Sequence, residues 1–580
     1  MDVGIYLIKE GKPIDEPGQM FVVKNDPKYN EHWPRPLVSY KRIYNVDEPK
    51  RLPMLANNGK ASSHLPEGTP FGLVGTSSLS KRETFPYGRV PEGSVTATGN
   101  PYAAFSVNSW IARNWADQGA DAGLYKNDDI HAIRILAMEP ASSVVADRFY
   151  NRANERLRIL GEFPVRKFNS DGKQPTDPDG NPDTSFLARV PADIAWTFQT
   201  LDKDGMVLNM AQTWHQVRPG EVRNNCGGCH AHSQEPTDFG LTAAAKDDYR
   251  IFDLTARTPL LTTKAADESD RQWDEAGATG VRYEDAPKNV EYFRDVRPIF
   301  QRSCVACHSQ KLLKPAANLA LDPEDDLYQS TSFRERFLRT HHEKAMSGLQ
   351  SVQGRAPFMI NPRYLWDFQS RRSLLVWKIY GRRTDGLELA PIKGFEEDHK
   401  LATAIDYNGK PMPPREAIDG TATNPDGKPV KVEPLGDEEK RTITRWIDLG
   451  CPIDWAYDAT KPMERGDGWL LDDQRPTLAL VYPHAGKSDE PLQRILLGAF
   501  DYDSGVDPAS LSVIADFEVD DVPPGEELAT RLKPKADSTW ELVLNKPLAK
   551  LPKGKLTVSV KDQHGNLTQI ERSFSIGQTQ

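Results

Sequence analysis

Four of the five cysteines in this 580-residue chain fall into two copies of one pattern, Cys226-Gly-Gly-Cys229-His230 and Cys304-Val-Ala-Cys307-His308. With five cysteines and twelve histidines scattered at random, one Cys-x-x-Cys-His would arise in about one chain in a thousand, so a pair is no coincidence. The spacing has a chemical reason. Two thiols one helical turn apart can form thioethers with the vinyl groups of a haem, and the adjacent imidazole can reach its iron as the proximal ligand. The sequence therefore predicts two haems of c type, held by Cys226, Cys229 and His230 and by Cys304, Cys307 and His308. A zinc ribbon also pairs two Cys-x-x-Cys units, but it does not require a histidine after each. A redox dithiol needs a strand-to-helix setting, which Asn224-Asn225 and the Gly-Gly spacer of the first motif do not suggest. The fifth thiol, Cys451 in Leu449-Gly-Cys-Pro, reads as a small buried residue at a helix end, with a metal or regulatory role as the alternative.

Haem is attached in this way after export, which sets an expectation of a periplasmic or extracellular protein. The first residues, Met1-Asp-Val-Gly-Ile-Tyr-Leu-Ile-Lys, alternate like a strand and lack the basic start and apolar core of a secretion signal. The native signal is thus expected to be missing from this chain, or else the motifs bind no haem. Mean hydropathy is −0.60, and no apolar run is long enough to span a bilayer. A net charge of −10 without a clustered basic face argues against a nucleic-acid partner.

The expected fold class is a multidomain α+β chain. Residues 1–150, rich in Pro and Gly with short strand-like runs such as Phe21-Val-Val-Lys and Pro70-Phe-Gly-Leu-Val-Gly-Thr, read as a β-rich region. Residues 151–288 carry strand patterns at Thr184–Ala192 and Ala195–Asp202 leading to the first motif. Asp177-Pro-Asp-Gly-Asn-Pro-Asp183 imitates the start of a calcium loop, but Pro182 stands where such a loop wants Gly, and a plain turn is favoured. Residues 289–465 read as a mostly α cytochrome c domain. Val296, Ile299, Phe300 and Cys304 recur at helical spacing after Pro298, and Asp437-Glu-Glu starts a helix whose Ile443, Trp446 and Ile447 share a side and which Gly450 can end. Residues 470–580 alternate as strands, for example at Leu556, Val558 and Val560 and at Ile570, Phe574 and Ile576, and read as an accessory β-sandwich with no ionisable cluster that suggests catalysis.

The side of each iron away from its motif histidine decides function: a Met or His ligand makes a carrier, and an open position admits a small molecule. For the second haem, Met412 in Lys410-Pro-Met-Pro-Pro lies between the motif and the Asp437 helix, where a small cytochrome c supplies its thioether. The rivals are His341, His342 and His399. For the first haem the candidates are His215 and an open or water-bound iron, while His232 is too close to His230 to swing to the opposite face.

Three stretches, Phe198-Gln-Thr-Leu-Asp-Lys-Asp-Gly-Met, Thr213-Trp-His-Gln-Val-Arg-Pro-Gly-Glu221 running into the first motif, and Phe293-Arg-Asp-Val-Arg-Pro-Ile-Phe before the second, resemble the hydrazine synthase alpha subunits and their wider relatives among multidomain bacterial cytochromes. The likeness runs over about residues 100–460. It implies a periplasmic protein with two haem domains in series, the first haem a chemical site and the second an electron relay, and makes residues 1–100 resemble the end of a β-propeller. Hydrazine-forming members carry a tyrosine ligand four residues after the first motif's histidine, where this chain has Gln234. Hydrazine formation is accordingly not carried over. The expectation is a dihaem carrier of single electrons between redox partner proteins. The alternative is an oxidoreductase acting on a small nitrogenous or oxygenated molecule at the first haem, with no catalytic side chain assigned, and a scaffold role is the third reading.

Overall fold

Strand Ala132–Glu139 sets the plan of the fold, because its alternate side chains enter two different cores. The computed structural model describes residues 4–8, 13–14, 16–26, 31, 38–45, 55–82, 85–86, 120–139, 156–168, 172–211, 214–226, 235–290, 292–322, 365, 368–386, 411–451, 472 and 474–577. Residues 1–55 make one compact unit and residues 56–580 another. The first unit holds an antiparallel hairpin of Ile5–Ile8 and Met20–Lys24 and a short helix α1, Tyr40–Tyr44.

In the second unit, strands Val207–Met210, Trp196–Leu201, Ala132–Glu139 and Arg156–Pro164 lie side by side in that order, all antiparallel. A second sheet has the order Val222–Arg223, Phe71–Thr76, Phe186–Pro191 and Phe252–Asp253. Ile133, Ile135 and Ala137 on the first sheet share a core with Val74, Ala188, Val190 and Phe252 on the second. The division expected near residue 150 runs through both sheets, since Phe71–Thr76 pairs with Phe186–Pro191 and Ala132–Glu139 with Arg156–Pro164. The turn clusters that suggested a boundary there are local, whereas strand pairing is not. The Asp177 loop is a plain tight turn: the Asp177 carboxylate accepts from the backbone N–H groups of Asp179 and Asn181 and from the Ser78 hydroxyl.

Leu136, Leu157, Ile159, Met206 and Met210 on the opposite face of the first sheet pack against helices. These are α2, Arg297–Ser303, α3, Leu374–Tyr380, and α5, Asp437–Asp448, with the one-turn α4, Arg415–Ile418, between the last two. Pro298 sits in the first turn of α2, where its missing N–H costs nothing. Helix α5 begins with Asp437, Glu438 and Glu439, whose charges suit the positive end of the helix, and the Gly436 N–H donates to Glu439 Oε2 at 2.8 Å. It ends at Gly450, whose φ of 87° is open to glycine and whose absent Cβ would stand 2.5 Å from Cζ of Phe368. Ile299, Phe300, Ile443, Trp446 and Ile447 form one cluster, with the Tyr292 and Trp446 rings 5.5 Å apart. Each fully buried apolar side chain here contributes about 1.5–3 kcal/mol. Cys451 is buried directly after the helix, its N–H donating to the Trp446 carbonyl at 2.9 Å, as its position in the sequence suggests.

Charged side chains seal α5 to the sheet. Glu162 accepts from Arg134 Nε at 2.7 Å and from Arg445 Nη2 at 2.8 Å, and Arg134, Glu162 and Arg445 are all buried. Asp448 lies 3.6 Å from Arg134 and accepts from the Ser370 N–H at 2.8 Å and the Val207 N–H at 3.2 Å. Burial alone would raise the Glu162 carboxyl, but the Arg445 and Arg134 guanidiniums bring it down to about 2.

The C-terminal region is a sandwich of two four-stranded sheets, Thr477–Tyr482, Leu492–Phe500, Thr539–Leu548 and Lys533–Ala536 over Gly486–Ser488, Leu567–Ile576, Leu551–Asp562 and Val506–Ala515. Leu556, Val558, Val560, Phe574 and Ile576 face inward, with Ile570 packed at the margin.

Candidate functional site

The second cysteine motif begins where α2 ends. Cys304 is the residue that closes the helix, its N–H donating to the Phe300 carbonyl at 2.8 Å. The chain turns once more, with the Cys307 and His308 N–H groups both 3.1 Å from the Cys304 carbonyl. This turn brings two thiols and an imidazole together within five residues. Cys304 and Cys307 are free thiols, and Cys304 and Val305 pack against the α2–α3–α5 cluster. Burial pushes the Cys304 thiol up to about 12 and the Cys307 thiol in the same direction, so both stay protonated at neutral pH.

His308 is oriented by backbone. Its Nδ1 lies 3.2 Å from the Leu319 carbonyl, and its own carbonyl accepts from the Leu321 N–H at 2.8 Å. With Nδ1–H committed to a carbonyl, Nε2 is the ring nitrogen left to bind a metal, and burial holds the imidazole pKa down, favouring the neutral form a metal takes. Two unpaired thiols, a fixed neutral imidazole and an apolar cluster behind them fit a covalently attached haem. The Leu319 carbonyl is a functional group that the sequence did not point to, since a backbone acceptor eleven residues on leaves no residue-type signal.

Met412 follows α3 in the chain and is tied to it: its N–H donates to the Lys378 carbonyl at 2.9 Å. Arg302 on α2 pairs with Glu433 at 3.2 Å and with Glu439 on α5, so the segment between Met412 and α5 is fastened to the helix that carries the motif. Its rivals His341, His342 and His399 lie outside the described residues.

Of the first motif, Cys226 is described and half-buried, three residues after strand Val222–Arg223, while Cys229, His230, His232 and Gln234 lie outside the described residues. His215 forms an isolated bridge with Trp196, its N–H 2.7 Å from the Trp196 carbonyl, and its ring lies 4.9 Å from that of Trp196 and 6.0 Å from that of Phe198. The Trp196 indole N–H is buried with no hydrogen-bond partner among the described residues. A buried indole donor ordinarily finds an acceptor, so this corner can take a polar atom.

No ionisable cluster in the sequence of the C-terminal sandwich suggests catalysis. Folding brings three buried carboxylates, Asp472, Asp501 and Asp562, to within 4.8 Å of one another. Burial, and then the charge of Asp472, push the Asp501 carboxyl up to about 7. Each residue is separated from the next by whole strands, which is why no local pattern marked them.

A family model described as the hydrazine synthase alpha subunit middle domain matches residues 128–231, a span that ends just past the first motif. Hydrazine synthase subunit alpha of Kuenenia stuttgartiensis is 24% identical over 476 residues, covering 74% of this chain and 49% of that protein. A solved structure of Kuenenia stuttgartiensis hydrazine synthase aligns at 18% identity with a TM-score of 0.37, over 70% of this chain and 45% of that one. CopC from Methylosinus trichosporium OB3b aligns at 18% identity with a TM-score of 0.12, over 16% of this chain and 83% of that one. The chain resembles the hydrazine synthase alpha subunit and spans about half the length of the relatives it matches. No helix among the described residues is long and apolar enough to cross a membrane.

Proposed function

We propose that this chain is a c-type cytochrome with two haems, on Cys226, Cys229 and His230 and on Cys304, Cys307 and His308, which moves single electrons between redox partner proteins in the periplasm or outside the cell. The observation that supports the reading is the His308 Nδ1 contact with the Leu319 carbonyl beside two free thiols, because it leaves the other ring nitrogen for a metal. Once bound, such a group supplies one-electron chemistry at its iron. The protein's part is to hold it. Cys304 and Cys307 anchor it, His308 Nε2 is the proximal ligand, and Met412 is the sixth ligand of the second site. The apolar cluster of Phe300, Trp377 and Trp446 keeps water from that region and so favours the less charged, reduced state.

A second reading keeps its place because of one observation, the Trp196 N–H without a hydrogen-bond partner among the described residues, beside His215 in the segment leading to Cys226. It makes the first haem the site of an oxidoreductase acting on a small nitrogenous or oxygenated molecule, with the second as relay. The name of the relative, a synthase subunit, brings forward a place in a larger assembly. Hydrazine formation is not proposed, since Gln234 stands where a tyrosine ligand is expected.

Spectra of the reduced protein with and without carbon monoxide decide between the two. A pure carrier has two six-coordinate irons and gives the same spectrum in both; binding at one haem per chain removes the carrier reading for that haem. Met412→Ala is expected to abolish the long-wavelength Met-to-iron band of the oxidised protein, and persistence of that band would show that another residue is the ligand.

A further inference from the structure

The loop after His308 is closed and fixed at several points. The Ala316 N–H donates to the Cys307 carbonyl at 2.9 Å, so residues 309–315 leave and return at the second thiol of the motif. Inside the loop, Ser309 Oγ donates to Asp322 at 2.5 Å, the Lys311 N–H to Ser309 Oγ at 3.0 Å and the Gln310 N–H to Asp322 at 2.8 Å. The Leu313 N–H donates to Asp426 at 3.1 Å, which ties the loop tip to the turn before α5. On its outer side Leu313 is 96% exposed, between Lys311 and Lys314, which are exposed as well.

One exposed leucine is ordinary on a protein surface. Here it is held outward by an ordered backbone, between two cations. Residues 309–318 contain two lysines and no acid, although the chain as a whole carries a net charge of −10. Among the described residues, the acids bonded to the loop are Asp322 and Asp426, which are half-buried and accept from groups of the loop itself. An apolar tip with a basic rim, on an otherwise acidic molecule, is complementary to a partner whose contact face is acidic around an apolar centre.

We infer that the Lys311–Lys314 loop is the docking surface through which the second haem exchanges electrons with a small acidic electron-transfer protein, an inference that rests on the haem reading of Cys304, Cys307 and His308. The loop closes on Cys307, so a partner seated there stands beside the point of haem attachment. In the exchange one electron leaves the reduced partner, which is oxidised by one unit, and the ferric iron becomes ferrous; no bond or proton changes hands.

The test uses the full chain with its haems and two probes in stopped-flow, a reduced acidic plastocyanin and a reduced basic cytochrome c. Lys311→Glu with Lys314→Glu is compared with Lys550→Glu and Lys553→Glu, exposed lysines of the C-terminal sandwich that give the same change in net charge. At low ionic strength the loop variant is expected to accept electrons from the acidic probe about tenfold more slowly than the sandwich variant, with the gap closing in high salt. The basic probe is expected to react no more slowly with the loop variant. Leu313→Ala is expected to slow the acidic probe at low and high salt alike. Equal slowing of the two lysine variants, with two haems per chain present, overturns the docking surface alone. A wild-type chain without covalent haem at Cys304 overturns both the inference and the reading beneath it.

Discussion

A chain in which Cys304 and Cys307 are both serine is expected to retain one covalent haem where the wild type retains two. The measurement is a pyridine haemochrome assay on protein extracted with acidified acetone, which strips haem held only by iron ligands and leaves thioether-bound haem. Serine is close to cysteine in size, and the backbone bonds that shape the turn, from Cys304, Cys307 and His308, involve no side chain. The α2–α5 cluster is therefore expected to survive, with unchanged far-ultraviolet dichroism, so haem loss is not a by-product of unfolding. The converse change at Cys226 and Cys229 is expected to leave the other haem, and the fourfold variant none. A wild-type value below two removes the first or second motif from the proposal, according to which pair of substitutions then has no effect.

Helices α2 and α5 and the terminal sandwich were legible because their signals are local. Pro298 and the Asp437–Glu439 run mark helix starts, and Leu556, Val558 and Val560 alternate within a single strand. The His308 orientation was not legible, because its acceptor is a carbonyl that every residue possesses. Neither was the division of the chain: strands on both sides of residue 150 share two sheets, and α5 is bolted to a strand that precedes it by more than 200 residues. Glu162 and Arg445, 283 residues apart, are each unremarkable in sequence, and a surface reading of either is the natural one. The nearness of His215 to Cys226 in sequence suggests an iron ligand; the structure gives it a backbone bridge to Trp196 and ring contacts with Trp196 and Phe198.

Glu162→Leu is expected to cost about 3–5 kcal/mol, because it leaves the Arg134 and Arg445 guanidiniums buried without their shared carboxylate. The cost should appear locally as well as globally. Amides of strand Arg156–Pro164 and of α5 are expected to exchange hydrogen about two-hundred- to five-thousand-fold faster, the same free energy read as an opening constant. The interaction is also pH-dependent, and its sign can be worked out. Glu162 has a folded pKa of about 2 against an ordinary 4.5, so the unfolded chain binds the extra proton in that window, and the stabilisation present above about 4.5 is lost as pH falls towards 2. His131 adds a slope in the same direction: burial lowers it from 6.5 to about 4, so the unfolded chain again takes the proton first. Acid should therefore weaken the wild type more steeply than Glu162→Leu, whose remaining slope is that of His131 and the other carboxylates. Adding Arg445→Met to Glu162→Leu removes one charge of each sign and leaves Arg134 facing Asp448 at 3.6 Å. The double variant is expected to recover part of the loss. If Glu162→Leu costs under about 1 kcal/mol and exchange is unchanged, the four charged groups are reached by water in solution and the seal between α5 and the sheet is apolar packing alone.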